Sequence, residues 1–224
     1  FARERERGVR RAGLVVGRGE DLPAPGDWFV KDIPSPKASV LVVRGEDGVI
    51  RAFHNTCQHR GSRLAHQRCG SGVKGFNCPL HGWTYDTAGA LAYVPDEGEF
   101  YRLDKAALGL TPVHCELWEG FTFVNLDRTP ALGLTAFLGE IRDGYRGYFD
   151  ELEEAAHYTV TANVNWKLLY DVSVEAYHVF SIHPIHPVSD ESEKAVGKPP
   201  AKPEVKLPNI TLYRLHRQVT VPGN

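Results

Sequence analysis

The stretch from Cys57 to His81 (C-Q-H-R-G-S-R-L-A-H-Q-R-C-G-S-G-V-K-G-F-N-C-P-L-H) constrains this chain more than any other part of it. It holds two short pairs, Cys57-x-His59 and Cys78-x-x-His81, with eighteen residues between them. Two thiolates and two imidazoles suit one tetrahedral zinc, or a [2Fe–2S] cluster with two Cys on one iron and two His on the other. Zinc fingers usually place their two Cys on one turn and their two His on another. Here each turn carries one of each, so two turns can face each other across a flat two-iron cluster. Zinc and a structural disulfide are the competing readings.

The chain has 224 residues, room for one or two domains, and 42% apolar content, enough for a real core. Its net charge is −2, from 26 basic and 28 acidic residues, which points to neither nucleic acid nor an anionic membrane as a partner. It has no run of eighteen apolar residues and no charged start followed by an apolar centre. A soluble, cytoplasmic protein is expected. Cys69 and Cys115 are left over as ordinary reduced thiols. The sequence contains no methionine and opens on Phe1 within a charged, helix-like pattern, so a fragment, or a sequence with pieces absent, is expected.

In chain order, Glu20 to Asp27 is a turn-rich lead-in. Val40–Val43 and Val49–Phe53 read as strands joined by a Gly45-Glu46-Asp47-Gly48 turn, and the first Cys/His pair follows directly. Short strands are expected at Phe76–Cys78, Trp83–Tyr85 and Ala90–Tyr93, and a longer one over Leu117–Leu126. Many short strands with frequent turns indicate an all-β sandwich over residues 13–127. Beyond Asp127, Leu134–Phe149 has nearly helical spacing, His157–Val164 alternates as a strand, Asp190–Pro208 is a polar Pro/Lys-rich loop, and Ile210–Val221 is a last strand.

A second informative stretch runs from Asn165 to Pro184 (N-W-K-L-L-Y-D-V-S-V-E-A-Y-H-V-F-S-I-H-P). Glu175 and His178, three apart, share one helix face. His183 lies five further on, before Pro184, which disfavours helical geometry there and lets the chain turn back. Two His with one carboxylate are the facial triad of mononuclear non-haem Fe(II) oxygenases. His186 competes with His183 for this role, and paired His near a helix end are often not ligands at all.

Together these segments resemble the terminal-oxygenase α subunit of the Rieske non-haem iron oxygenases. The resemblance rests on R-A-F-H-N-T-C-Q-H-R-G, C-P-L-H-G-W, G-F-T-F-V-N-L-D, N-W-K and E-A-Y-H-V-F-S-I-H-P, and covers nearly the whole chain. Respiratory Rieske proteins carry extra loop cysteines that form a disulfide, whereas Ser62 follows Gly61 here, which argues against that branch. The resemblance implies an α+β fold: an N-terminal helical segment (1–12) packing on the catalytic domain, an all-β Rieske domain (13–127), and an incomplete catalytic domain (128–224) of antiparallel sheet flanked by helices. It implies that Cys57, His59, Cys78 and His81 bind the [2Fe–2S] cluster and that His178 and His183 bind a mononuclear iron. Glu175 falls at the family's bridging acid, usually Asp, which links a cluster His of one subunit to an iron-ligand His of its neighbour in a trimer, α3 or α3β3. Asp171 stands where a further acidic residue, usually Glu, is common.

Three departures stand out. Glu175 in place of Asp resembles the subgroup that oxidises quaternary ammonium compounds. Asp171-Val172 replaces the common Glu-Asn, and Gly13 stands where Trp is frequent. The carboxylate that would be the third iron ligand is not found in this sequence. The implied partners are an NAD(P)H-dependent flavin or iron–sulfur reductase, a ferredoxin in some systems, O₂ and a small organic substrate, with ring hydroxylation and oxidative demethylation both open. The alternative is a Rieske-type electron carrier without its own catalytic iron.

Overall fold

The structure, a computed structural model, describes residues 8–35, 37–150, 152, 156, 158–173, 209–212 and 216–220. The chain divides into two compact units, one of Phe1–Phe137 with Arg146–Glu151, the other of Leu138–Tyr145 with Leu152–Asn224. Residues 1–7 of the expected N-terminal helical segment lie outside the described residues, as do Glu175, His178, His183, His186 and residues 190–208.

Among its described residues the first unit holds ten strands: β1 (Leu14–Arg18), β2 (Trp28–Ile33), β3 (Ala38–Arg44), β4 (Ile50–His54), β5 (Cys69–Gly70), β6 (Gly75–Asn77), β7 (Thr84–Asp86), β8 (Leu91–Tyr93), β9 (Pro112–Trp118) and β10 (Phe121–Asn125). Seven of them form one antiparallel sheet in the order β1-β10-β9-β4-β3-β2-β5, and β6-β7-β8 form a second. β3 explains the arrangement. Its run Val40-Leu41-Val42-Val43 is continuously apolar rather than alternating, as a strand covered on both faces requires. Leu41 and Val43 join Trp28, Phe53, Phe76, Trp83 and Tyr85 in one core, whereas Val40 and Val42 join Leu22, Phe29, Ile50 and Val124 in another. Full burial of each such side chain contributes about 1.5–3 kcal/mol.

Several sequence expectations shift. Leu117–Leu126 is not one strand: Glu119 (φ 48°) and Gly120 (φ 76°) form a two-residue turn that pairs Phe121 with Trp118. Two successive positive φ values match the twist of flanking antiparallel strands, so Glu-Gly folds the segment into a hairpin. The helix expected over Leu134–Phe149 is broken into α1 (Leu134–Leu138) and α2 (Ile141–Gly144) by Gly139 at φ 55°. Residues 158–164 form no strand, because alternation without a partner ladder leaves backbone groups to water. At Gly13, a β-carbon would meet Phe137 at 3.4 Å and Phe123 at 3.6 Å, so aromatic rings already fill the space of a larger residue.

In the second unit, α3 (Trp166–Ser173) begins at Asn165, whose side-chain oxygen accepts from Lys167 N–H at 3.1 Å as an N-cap. Asp171 lies on this helix and is exposed. The strand expected at Ile210–Val221 is a pair, β11 (Asn209–Leu212) antiparallel to β12 (Arg217–Thr220). No helix among the described residues is long and apolar enough to cross a membrane.

Candidate metal centre

Both Cys/His pairs sit on turns closed by the same backbone bonds. In the first, Cys57 N–H donates to Ser62 C=O at 2.8 Å and Gly61 N–H to Cys57 C=O at 3.0 Å. In the second, Cys78 N–H donates to Trp83 C=O at 2.7 Å and Gly82 N–H to Cys78 C=O at 2.9 Å. Each turn ends on a glycine in the left-handed region, φ 74° at Gly61 and 73° at Gly82, a conformation that an L side chain resists. The first turn is latched to β4 by Asn55, which is buried. Its Nδ2 donates to Ala65 C=O at 2.8 Å and to Ser39 Oγ at 3.2 Å, and its Oδ1 accepts from Ala65 N–H at 2.9 Å. The second turn is strung between β6 and β7, which pair Asn77 with Thr84 across its base.

The turns bring all four expected ligands together. Cys57 (2% exposed) and Cys78 (1%) are free, buried thiols, and the His59 and His81 rings lie 4.6 Å apart at 65°. His81 is solvent-exposed, and His59 is half-buried. Tyr85, fully buried, places its hydroxyl 3.3 Å from Cys57 Sγ and accepts from Gln58 N–H at 3.0 Å. Trp83 stacks on His59 with ring centres 4.7 Å apart and planes at 8°.

The electrostatics suit metal ligation. Burial raises the Cys57 thiol, opposed by the Tyr85 hydroxyl and the His59 backbone N–H. At Cys78 burial acts the same way, but the N–H groups of Leu80 and His81, aided by Cys57 and Ser62, outweigh it and the thiol falls below its ordinary value. Burial, with His81 and Arg60 nearby, lowers His59 and keeps its imidazole neutral, the form that binds metal. Burial and the adjacent Cys57 thiol hold the Tyr85 hydroxyl far above the ordinary phenol range, so it stays a proton donor.

A [2Fe–2S] cluster fits these residues. Nδ1 of His59 is buried without a hydrogen-bond partner, as a nitrogen reserved for a metal would be. Among the described residues no three His, Cys, Asp or Glu side chains converge on one ion-sized point. The four side chains fall into a buried thiol pair and a more exposed imidazole pair, a division that would suit Cys₂ on one iron and His₂ on the other. Fold and site together define a Rieske-type cluster domain.

Comparison with known proteins agrees. Residues 13–112 match the family model described as Rieske [2Fe-2S] domain, and residues 149–219 match that of the ring hydroxylating alpha subunit (catalytic domain). The chain thus carries a Rieske [2Fe-2S] domain followed by a segment that matches the catalytic domain of ring hydroxylating alpha subunits. It is 38% identical over 187 residues to the glycine betaine monooxygenase oxygenase subunit of Chromohalobacter salexigens, a match covering 82% of this chain and 40% of that protein. Among solved structures, the quaternary ammonium Rieske monooxygenase CntA in complex with L-carnitine matches with a TM-score of 0.79 and 26% identity, covering 95% of this chain and 56% of that one. Naphthalene 1,2-dioxygenase with indole in its active site matches with a TM-score of 0.71 and 34% identity, covering 80% and 41%. The chain thus spans about half, or less, of the length of these relatives. The two family domains imply a Rieske cluster and a mononuclear non-haem iron.

Sequence reasoning missed Asn55, Tyr85 and Phe100 as parts of the site. Asn55 stands two residues before Cys57 and Tyr85 two beyond Trp83, close enough for a polar side chain to reach back into the loops. Phe100 touches His59 and Trp83 from a separate segment, and no local signal marks it. Of the leftover thiols, Cys69 is exposed on β5, whereas burial pushes Cys115 on β9 up to about 12.

Proposed function

We propose that this chain is part of the terminal component of an oxygenase that passes electrons from a reductase through a Rieske centre to a mononuclear iron and inserts oxygen from O₂ into an organic substrate. The observation that carries this reading is the assembled set Cys57, His59, Cys78 and His81 in a chain whose later residues match the catalytic domain. That match favours the oxygenase over an electron carrier without its own iron. When bound, the cluster would supply one-electron transfer in a range of about −150 to +300 mV and the mononuclear Fe(II) would supply O₂ activation.

The chain's own groups have separable tasks. Cys57 and Cys78 would hold one iron of the cluster, with the N–H groups of Leu80 and His81 directed at the Cys78 sulfur. His59 and His81 would hold the other, and the exposed His81 is the imidazole that another subunit can reach. By sequence, His178 and His183 would bind the mononuclear iron, and a third, carboxylate ligand is not found in this sequence. Glu175 bridges to His81 of a neighbouring subunit in a homotrimer, and Asp171 supports the iron site. The substrate class is a quaternary ammonium compound, supported by Glu175 in place of Asp and by the names of the relatives. We further propose an NAD(P)H-dependent flavin or iron–sulfur reductase as electron donor, with or without a ferredoxin, and a cytoplasmic location. Domain boundaries at 13 and 127 suit β10, which ends at Asn125 and pairs with β1.

Iron and sulfide analysis tests the reading. An oxygenase should hold about three Fe per two acid-labile sulfides, and two Fe per two sulfides would favour the carrier. With a reductase supplied, glycine betaine should be demethylated with O₂ consumed in step. Turnover of naphthalene but not of betaine would move the substrate to aromatic rings.

A further inference from the structure

The two imidazoles of the cluster site have different surroundings. His59 lies flat against the indole of Trp83, 4.7 Å between ring centres and 8° between planes. Phe100 sets its edge against both, 6.3 Å from His59 at 79° and 6.0 Å from Trp83 at 71°. Trp83 is 3% exposed and belongs to the core cluster that also contains Cys57, Cys78 and Tyr85. His81 stacks on neither ring among the described residues and is exposed.

We infer that Trp83 and Phe100 form an aromatic cap on His59 that lowers the midpoint potential of the cluster, with Trp83 as the positioning residue. This rests on the Rieske reading above. Two ferric ions, two sulfides, two thiolates and two neutral imidazoles sum to zero charge, and one electron taken from a donor leaves −1 with no proton needed. Excluding water beside His59 disfavours the charged, reduced form. The indole presents its electron-rich face to the imidazole, which favours the more positive, oxidised state of the ligand. Both effects act in the same direction. The flat contact also fixes the His59 ring plane, which no side-chain hydrogen bond among the described residues does. Tyr85 acts oppositely, because its hydroxyl favours the reduced sulfur. The protein therefore sets the potential from two sides, a donor at the thiolates and an aromatic cover at one imidazole.

The experiment is a potentiometric titration followed by EPR on protein with measured iron and sulfide. Trp83→Leu, with full cluster content, should raise the reduced-to-oxidised ratio at a fixed ambient potential about threefold, a midpoint shift of about 30 mV upward. Trp83→Phe keeps a stacked ring and should stay close to wild type. Phe100 is 38% exposed, so Phe100→Ala spares the core, and should give about 1.5-fold, or about 10 mV, in the same direction. A wild-type midpoint in fully loaded Trp83→Leu overturns the inference. If that variant does not retain its cluster, an unchanged midpoint in Phe100→Ala does so instead. A wild-type protein lacking acid-labile sulfide would overturn the Rieske reading itself, a separate and recognisable failure.

Discussion

The hydroxyl of Tyr85 stands 3.3 Å from Cys57 Sγ, and its oxygen is already engaged by Gln58 N–H at 3.0 Å. With that oxygen accepting from the backbone, the phenol proton is available to a thiolate at Cys57. A hydrogen bond to a thiolate strengthens when the cluster gains an electron. Tyr85→Phe should therefore lower the midpoint, by about 1 kcal/mol of lost hydrogen bonding or about 40 mV for a one-electron couple. Gln58 N–H loses its partner at the same time, so a fall in thermal stability should accompany the shift. Potentiometry on the Phe variant decides the matter, and an unchanged or higher midpoint would show that the hydroxyl serves only to anchor Gln58.

Asn55 is the latch of the first turn. Asn55→Ala removes its bonds to Ala65 and Ser39, although Ala65 C=O keeps Arg63 Nε as a donor at 2.9 Å. The buried Ala65 N–H is left unpaired, at a cost of about 2–3 kcal/mol. In a protein of this size that is about 5–10 °C of melting temperature. Because the turn carries Cys57 and His59, sulfide content should fall along with stability. Full cluster occupancy at wild-type melting temperature would mean that the latch is dispensable.

The two turn glycines should respond unequally. Both have positive φ, so alanine at either costs about 1 kcal/mol. At Gly61 a β-carbon would meet nothing within 4 Å, whereas at Gly82 it would meet Pro95 Cγ at 3.0 Å. Gly82→Ala should add about 1 kcal/mol of overpacking and disturb the second turn more. Denaturant unfolding of the two variants measures the difference, and a Gly61→Ala protein that is the less stable of the pair would contradict it.

How much of this was legible in the sequence depended on distance along the chain. The two turns that carry Cys57, His59, Cys78 and His81 were, because the glycines and the short spacing within each pair mark both as tight turns between strands. The β3–β4 hairpin was too, since Gly45 and Gly48 punctuate two apolar runs. The Glu119-Gly120 hairpin was missed because aromatic alternation continues on both sides of it, so the period alone could not reveal the reversal. Gly139 was likewise masked by near-helical spacing around it. Tyr85 and Asn55 read as ordinary strand and loop residues, and their roles come from tertiary contacts with Cys57, Gln58 and Ala65. Phe100 lies in a segment with no periodic pattern, brought to His59 only by folding.

Glu175 carries the last prediction. It stands three residues before His178, a spacing that on a helix places two side chains side by side. A carboxylate there can accept from the outer N–H of His178, fixing its tautomer and raising its basicity as an iron ligand. Its second oxygen then remains for the outer N–H of His81 in a neighbouring subunit, which requires a head-to-tail, cyclic assembly. The exposure of His81 leaves that imidazole accessible for such a contact. Glu175→Gln keeps the size and removes the charge, so both metal sites should stay filled and the cluster should still be reduced by the reductase. Turnover should fall by two orders of magnitude or more, about 3 kcal/mol, because a charge-assisted bridge between the two sites is lost. Stopped-flow mixing of reduced enzyme with substrate and O₂ locates the defect: cluster reoxidation should slow to match turnover. His183→Ala supplies the contrast, losing the mononuclear iron and turnover while keeping the Rieske EPR signal. Reoxidation at the wild-type rate in Glu175→Gln would make Glu175 a surface carboxylate and leave electron transfer to some other path.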